Sequence, residues 1–288
     1  MKIKVSVISS CYKMANYLET FLKLLPEQTF FEKMEVVLDH HEPQKKEIKL
    51  VKSFQKKYPG RLKYLINNSV IPLYSSWNRC IENSKGKYLA IWNIDDLRTK
   101  NSIELQYNII ESSNIGFAYG NYTTVKEFGS TKGKFINHKK FKQSELKNSM
   151  ILGPFFMFKK KLCKKIGFFD EQFKVAGDFD FAIRLALQSK GKLVNENLGY
   201  YLNAQKGLST KLNSIQPIEK DVICMRYGIF GKVETKSLPD FMNYNLRCLL
   251  YNKKLIPIEK LYKNYQFYIK KRILDFKQII KKSLWKIL

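Results

Sequence analysis

Residues 88–98 read YLAIWNIDDLR: five residues suited to a buried strand run straight into a polar cluster that holds Asn93, Asp95 and Asp96. Adjacent carboxylates at a strand end offer hard oxygen ligands, suited to Mg²⁺ or Mn²⁺ rather than to zinc. Side chains alternate across a strand, so if the extension persists, Asn93 and Asp95 share one face and Asp96 points away. Two carboxylates leave coordination positions open for water and for phosphate oxygens. A second role is open to the same residues, since Asp95 or Asp96 can cap a turn or the helix expected near Ser102.

Working outward, the stretch closes a regular alternation. IKVSVIS (3–9) reads as a strand, ANYLETFLKLL (15–25) as a helix, and MEVVLD (34–39) as a second strand before a lysine-rich helix ending near YPG. LKYLINN (62–68) reads as a third strand, YSSWNRCIENSKG (74–86) as a helix closed by Gly86, and YLAIW as the fourth strand. Four strand–helix alternations in the first hundred residues predict a mostly parallel α/β sheet with helices on both faces. Ligands of such sheets bind beyond the carboxyl ends of the strands. Each predicted strand ends in polar residues there: Ser9 and Ser10, Asp39, Asn67 and Asn68, then Asn93 with the two aspartates.

A second acidic group lies in AGDFDFAIRLALQ, where Asp178 and Asp180 stand at the start of a predicted helix. Exposed N–H groups at a helix start favour negative charge, and a carboxylate held there can take a proton from an attacking hydroxyl. Capping by Asp178 and an Asp180–Arg184 pair one turn on are the structural alternatives.

The 288 residues are 44% hydrophobic and 14% aromatic, enough for a buried core and against disorder of the whole chain. The net charge of +27 points to anionic partners, but only seven of the 52 basic residues are Arg, the better bidentate reader of bases and phosphates. The lysines are scattered, and no nucleic-acid partner is expected. Cys11, Cys80, Cys163, Cys224 and Cys248 form no CxxC pair, so neither a disulfide framework nor a zinc site is expected, and a cytoplasmic setting fits. The opening MKIKVSVISSCYK has too short an apolar run for a secretory signal, and no stretch approaches the ~20 apolar residues of a membrane span.

After about residue 215 the alternation stops, and residues 216–288 are expected to be a basic helical region following an α/β domain over 1–215. Tyr262, Tyr265, Ile269, Ile273, Phe276, Ile280, Leu284 and Ile287 recur at three- and four-residue steps among seven lysines. Both a packed helix and an interfacial helix on the inner face of a membrane fit that pattern.

Taken together, the motifs over roughly residues 4–210 resemble family-two inverting glycosyltransferases with the GT-A fold. SVISSCYKMANYLETFLKLLPEQT looks like that family's opening strand, nucleotide loop and first helix, and EVVLDHHEP like its second strand. SSWNRCIENSKGKYLAIWNIDDLRTKNSIE is similar to the stretch bearing the DxD motif, GPFFMFKKKLCKKIGFFDEQF to the segment before the acceptor site, and GDFDFAIRLA to the catalytic helix start. The resemblance implies a nucleotide-sugar donor, in particular a UDP-sugar, and Mn²⁺ or Mg²⁺ held by Asp95 and Asp96. It implies a donor pocket of Ser10, Cys11, Tyr12, Asp39, Asn78, Asn93 and Asp95, with Asp39 reading the base. Asp178 is then the general base, with Asp180 as the other candidate. For Trp77, core packing is the better reading. Two departures stand out: Asn93 replaces the first aspartate of the usual D-x-D-D form, and YYLNAQKGLSTK (200–211) lacks the histidine that many relatives carry there.

The function expected is transfer of sugar to a saccharide or lipid-linked saccharide in surface glycan synthesis. A nucleotidyltransferase, which would release diphosphate from a nucleoside triphosphate, and a non-catalytic basic nucleic-acid- or glycan-binding protein are the competing classes.

Overall fold

The computed structural model describes residues 2–142, 152–203, 215–227 and 243–260. The opening alternation is observed as β1 (Val5–Tyr12), α1 (Ala15–Leu24), β2 (Met34–His41), α2 (Lys45–Lys57), β3 (Leu62–Asn67), α3 (Leu73–Glu82) and β4 (Tyr88–Ile91). There follow β5 (Leu97–Arg98), α4 (Ser102–Glu111), β6 (Phe117–Val125), β7 (Lys134–Ile136), β8 (Met157–Lys159), α5 (Cys163–Ile166), α6 (Gly177–Gln188), β9 (Gly191–Leu202) and α7 (Ile215–Tyr227). One nine-stranded sheet runs in the order β3-β2-β1-β4-β8-β6-β9-β5, with β7 paired to β6. The β3-β2-β1-β4 half is parallel. Beyond it β8 runs antiparallel to both β4 and β6, and β6 returns to parallel pairing with β9.

Alternation along the strands divides the core in two. Ile8, Val37, Leu89, Ile91 and Tyr119 face one cluster with α3, α5, α6 and α7. Val5, Val7, Val36, Leu38, Tyr88, Ala90 and Ala118 face the other with α1, α2 and α4. α2 starts on a capping box, in which Glu47 accepts the Gln44 N–H at 2.7 Å. Gly86 is not the helix stop the sequence implied. α3 ends at Glu82, and Gly86 lies where a Cβ would come within 2.5 Å of the Ser6 backbone nitrogen, so it lets the chain press against β1.

The region expected to be helical contains α7 but also an antiparallel hairpin, β10 (Cys248–Tyr251) with β11 (Lys254–Pro257). Val222, Ile223, Cys224, Met225 and Tyr227 of α7 belong to the same core as β1 and α6. The stripe from Tyr262 onward lies outside the described residues. Among the described residues, no helix is long and apolar enough to cross a membrane.

Candidate active site

At the carboxyl ends of β1, β2 and β3, one face carries Ser10, Tyr12, Asp39 and His41, continuing the alternation set by Ile8 and Val37. The Asp39 carboxylate accepts the Asn67 amide at 2.6 Å, with His41 Nε2 at 3.4 Å and Arg79 Nε at 3.6 Å from its other oxygen. The Arg79 guanidinium also donates to the Asn67 side chain. On α3, the Ser76 hydroxyl donates to Ser10 at 2.9 Å. A buried carboxylate beside a partly exposed guanidinium forms a polar cradle at the strand ends, suited to a hydrogen-bonding planar ligand.

β4 ends at Ile91, and the chain turns through Asn93–Asp96, with the Asp96 N–H donating to the Asn93 carbonyl. The expected partition survives the turn: Asn93 and Asp95 are partly exposed, while Asp96 is buried. Both Asp96 oxygens are committed, one accepting the Leu202 N–H at 3.1 Å and the other the Asn93 amide at 3.1 Å. Burial raises its pKa well above the usual carboxylate range, and the neighbouring Asp95 charge adds to this. Behind it, the Trp92 indole donates to the Asp96 carbonyl at 3.0 Å, and buried Arg98 donates to Ile91 O and Gln106. Among the described residues no side chain bonds or pairs with the Asp95 carboxylate, whose pKa burial also raises. A half-buried carboxylate that no described side chain satisfies, next to an amide oxygen, fits a hard divalent cation, with Asp95 and Asn93 as the ligands on offer. The helix-capping alternative fails, because α4 begins after Asn101 and has no side-chain cap.

Asp178 is the second residue of α6, and the cap position is held by Ala176 without a side-chain bond. Its carboxylate accepts the Phe179 N–H at 2.8 Å and the Tyr74 hydroxyl at 3.4 Å. Burial pushes its pKa up to about 6 against those bonds. Gly177 is needed here: a Cβ would stand 2.7 Å from the Tyr74 ring, the same ring that reaches Asp178. The approach to the helix is fixed by Glu219 of α7, whose buried carboxylate accepts the N–H groups of Lys174, Val175 and Ala176 at 2.6–2.9 Å. Tyr201 lies near the end of β9, next to the Leu202 whose N–H holds Asp96. Its pKa is pushed up to about 12 by burial first and then by the charges of Asp96, Asp95 and Asp178.

The profile of glycosyl transferase family 2 matches residues 6–167, more than half of the 288. The chain belongs to glycosyl transferase family 2. An uncharacterized glycosyltransferase of Methanocaldococcus jannaschii is 27% identical over 249 residues, 83% of this chain and 82% of the relative. UDP-Glc:alpha-D-GlcNAc-diphosphoundecaprenol beta-1,3-glucosyltransferase WfgD of Escherichia coli is 24% identical over 149 residues, 52% of this chain and 57% of WfgD. Among solved structures, S. aureus TarS in complex with UDP superposes with a TM-score of 0.61 at 17% identity, covering 83% of this chain and 78% of that one. The mannosyltransferase PcManGT from Pyrobaculum calidifontis, in complex with GDP-Man and Mn²⁺, gives 0.55 at 14% identity, covering 95% and 74%. These likenesses show the GT-A fold, a curled and mostly parallel sheet flanked by helices, and the chain is a glycosyltransferase.

Within this family-2 fold, several residues singled out in the sequence do not reach the crevice. Cys11 faces the opposite core, away from Ser10 and Tyr12. The Asn78 amide is saturated by the Phe169 backbone, donating at 2.9 Å and accepting at 2.9 Å, and by Glu171. It ties α3 to the segment before α6, and Trp77 packs in the core beside it. Asp96 is turned inward, which leaves it a positioning part rather than a ligand on offer. Asp180 is fully buried, with Arg184 at 2.7 Å, Arg226 at 2.7 Å and the Tyr227 hydroxyl at 2.8 Å, and those cations hold its pKa below the usual range against the burial. Both of its oxygens are taken by these partners. Sequence reasoning missed His41, Arg79, Tyr201 and Glu219. Arg79, one turn beyond Ser76 on an amphipathic helix, carried a weak signal; the others carried none.

Proposed function

We propose that this family-2 enzyme is an inverting glycosyltransferase that uses a UDP-sugar and a divalent metal, and that it extends a saccharide or lipid-linked saccharide of a surface glycan. What carries the reading is two carboxylates with no cationic partner among the described residues: Asp95 after β4, and Asp178 at the start of α6, whose pKa burial raises to about 6. The nucleotide occupies the Asp39–Asn67–Arg79 cradle, with Asp39 accepting from the base and Tyr12 beside it. Asp95 and Asn93 would hold Mn²⁺ or Mg²⁺, which when bound neutralises charge on the departing diphosphate. Asp178 takes the proton of an acceptor hydroxyl, whose oxygen forms the new bond to the anomeric carbon as the bond to the nucleotide diphosphate breaks on the opposite side. Ionised Asp178 is well placed as a base because its pKa is close to neutrality. The UDP-sugar assignment is also supported by TarS, crystallised with UDP, and the lipid-linked acceptor by WfgD, named for a diphosphoundecaprenol substrate.

Thermal stability with UDP, GDP, CDP and dTDP, each with and without Mn²⁺, tests this. A ligand that binds only the folded state at a hundredfold excess over its Kd adds ~2.7 kcal/mol. The expected result is a Mn²⁺-dependent rise with UDP that Asp95→Ala abolishes. A rise with another nucleotide alone would overturn the donor assignment, and none with any nucleotide would overturn the site.

A further inference from the structure

A cluster without a role in transfer lies on the face of the sheet opposite the crevice. Parallel register sets Cys11 beside His40, and the alternation that turns Tyr12 and Asp39 toward the crevice turns these two away from it. Glu47, in the first turn of α2, completes the group. The Cys11 thiol, a ring nitrogen of His40 and a carboxylate oxygen of Glu47 all lie within 4.8 Å of one another, and all three residues are buried. His40 Nε2 is 3.6 Å from Glu47 Oε1, and neither atom has a hydrogen-bond partner. Their other ends are committed: Glu47 Oε2 accepts the Gln44 N–H, and His40 Nδ1 is 3.0 Å from the Tyr64 hydroxyl. Two orphaned polar atoms beside a buried thiol are costly unless something shared satisfies them.

We propose that Cys11, His40 and Glu47 form a buried Zn²⁺ site that fastens the ends of β1 and β2 to the N-terminus of α2. Thiolate, imidazole and carboxylate are zinc's donors, in contrast to the all-oxygen set at Asn93 and Asp95. The charges balance, since one thiolate and one carboxylate neutralise a divalent ion in a place where net charge is expensive. With Zn–S ~2.3 Å and Zn–N ~2.0 Å, donors around a tetrahedral ion stand roughly 3.3–3.6 Å apart. The His40–Glu47 pair already has that spacing, and the thiol is the donor that moves in. Nδ1–H of His40 then donates to the Tyr64 oxygen, the second-layer bond that orients a ligating imidazole. Binding forms the S–Zn bond, breaks the S–H bond and releases that proton to solvent. Among the described residues no fourth His, Cys, Asp or Glu joins the group, so water or a backbone carbonyl fills the remaining position. Tyr12 and Asp39 adjoin these ligands in sequence and face the crevice, so the ion is a clip behind the donor pocket.

The full chain, stripped with a chelator, is titrated with Zn²⁺ against a chromophoric competitor, and with Co²⁺ followed by its thiolate charge-transfer absorption. One equivalent of Zn²⁺ is expected to bind with Kd below about 1 μM, releasing about one proton. The cobalt–thiolate band is expected to vanish in Cys11→Ser, to need at least ~10-fold more metal in Glu47→Gln, and to persist in Asp95→Ala. Folded wild type that takes up no Zn²⁺ would overturn the proposal, leaving a long His40–Glu47 hydrogen bond. So would a band that survives Cys11→Ser or disappears with Asp95→Ala. If Cys11→Ser fails to fold, protection of Cys11 from alkylation by Zn²⁺ in the wild type decides. Persistence of the band in Asp95→Ala separates this site from the transfer chemistry, so either reading can fail without the other.

Discussion

Asp178 and Asp180 are two residues apart on one helix, yet their surroundings drive them in opposite directions. Asp178 loses solvation and gains only a backbone N–H and a tyrosine hydroxyl, so its pKa rises to about 6. Asp180 loses as much but gains two guanidinium groups, and its pKa falls. Only the ionised form of Asp178 accepts a proton, so kcat/KM for transfer is expected to rise with pH through about 6 and to level above it. Asp178→Asn should lower kcat by ~10²–10⁴-fold while leaving the thermal shift with UDP intact. The same raised pKa makes ionised Asp178 a cost to folding: stability is lost as pH climbs from the unfolded carboxylate value toward about 6. Asp178→Asn should therefore melt higher than wild type at pH 7, by at most about 3 kcal/mol, and no higher at pH 4. Scanning calorimetry at the two values checks it.

At the scale of elements, α7 is the part that disciplines α6. Arg226 donates to Asp170 at 2.8 Å and to Asp180 at 2.7 Å, with its other arm on the carbonyls of Asn245 and Cys248. Glu219, two turns earlier on α7, gathers the three N–H groups that precede α6. Together they set the helix start from which Asp178 projects. Arg226→Met leaves two buried carboxylates without their shared cation, and a loss of ~3–5 kcal/mol is expected in urea denaturation. α3 does the corresponding work at the strand ends, reaching Asp178 through Tyr74, Ser10 through Ser76 and Asp39 through Arg79.

For the whole molecule, the parallel half of the sheet brings the Asp39–Asn67–Arg79 cradle to its edge, and the reversal at β8 brings the end of β9 back beside the turn after β4, where the Leu202 N–H meets Asp96. The charge of +27 and the seven lysines between Lys263 and Lys286 bear on the acceptor. If it is lipid-linked, each Lys near an anionic leaflet contributes ~1 kcal/mol. The 288-residue chain is expected to co-sediment with vesicles containing phosphatidylserine, to be released as salt rises, and to lose that binding when residues 261–288 are removed. Equal binding by the truncated chain would place the attraction elsewhere on the surface.

Local pattern determined much of this protein. Period-two apolar runs and amphipathic helices between them specify the parallel half, and the polar residue closing each strand marks the crevice, because both signals lie within a few neighbouring residues. Asn93, Asp95 and Asp178 stood out as candidates for that reason. What only the tertiary structure decided is which polar side chains meet. Nothing near Asp96 in the sequence announces the Leu202 N–H that turns it inward, nor near Asp180 the Arg226 that encloses it. Cys11, His40 and Glu47 carry no metal-ligand spacing, and Tyr201 stands more than a hundred residues from Asp95. Spacing reports neighbours along the chain, whereas strand register and helix packing join groups remote from each other, and it is those junctions that fix burial, charge and reach.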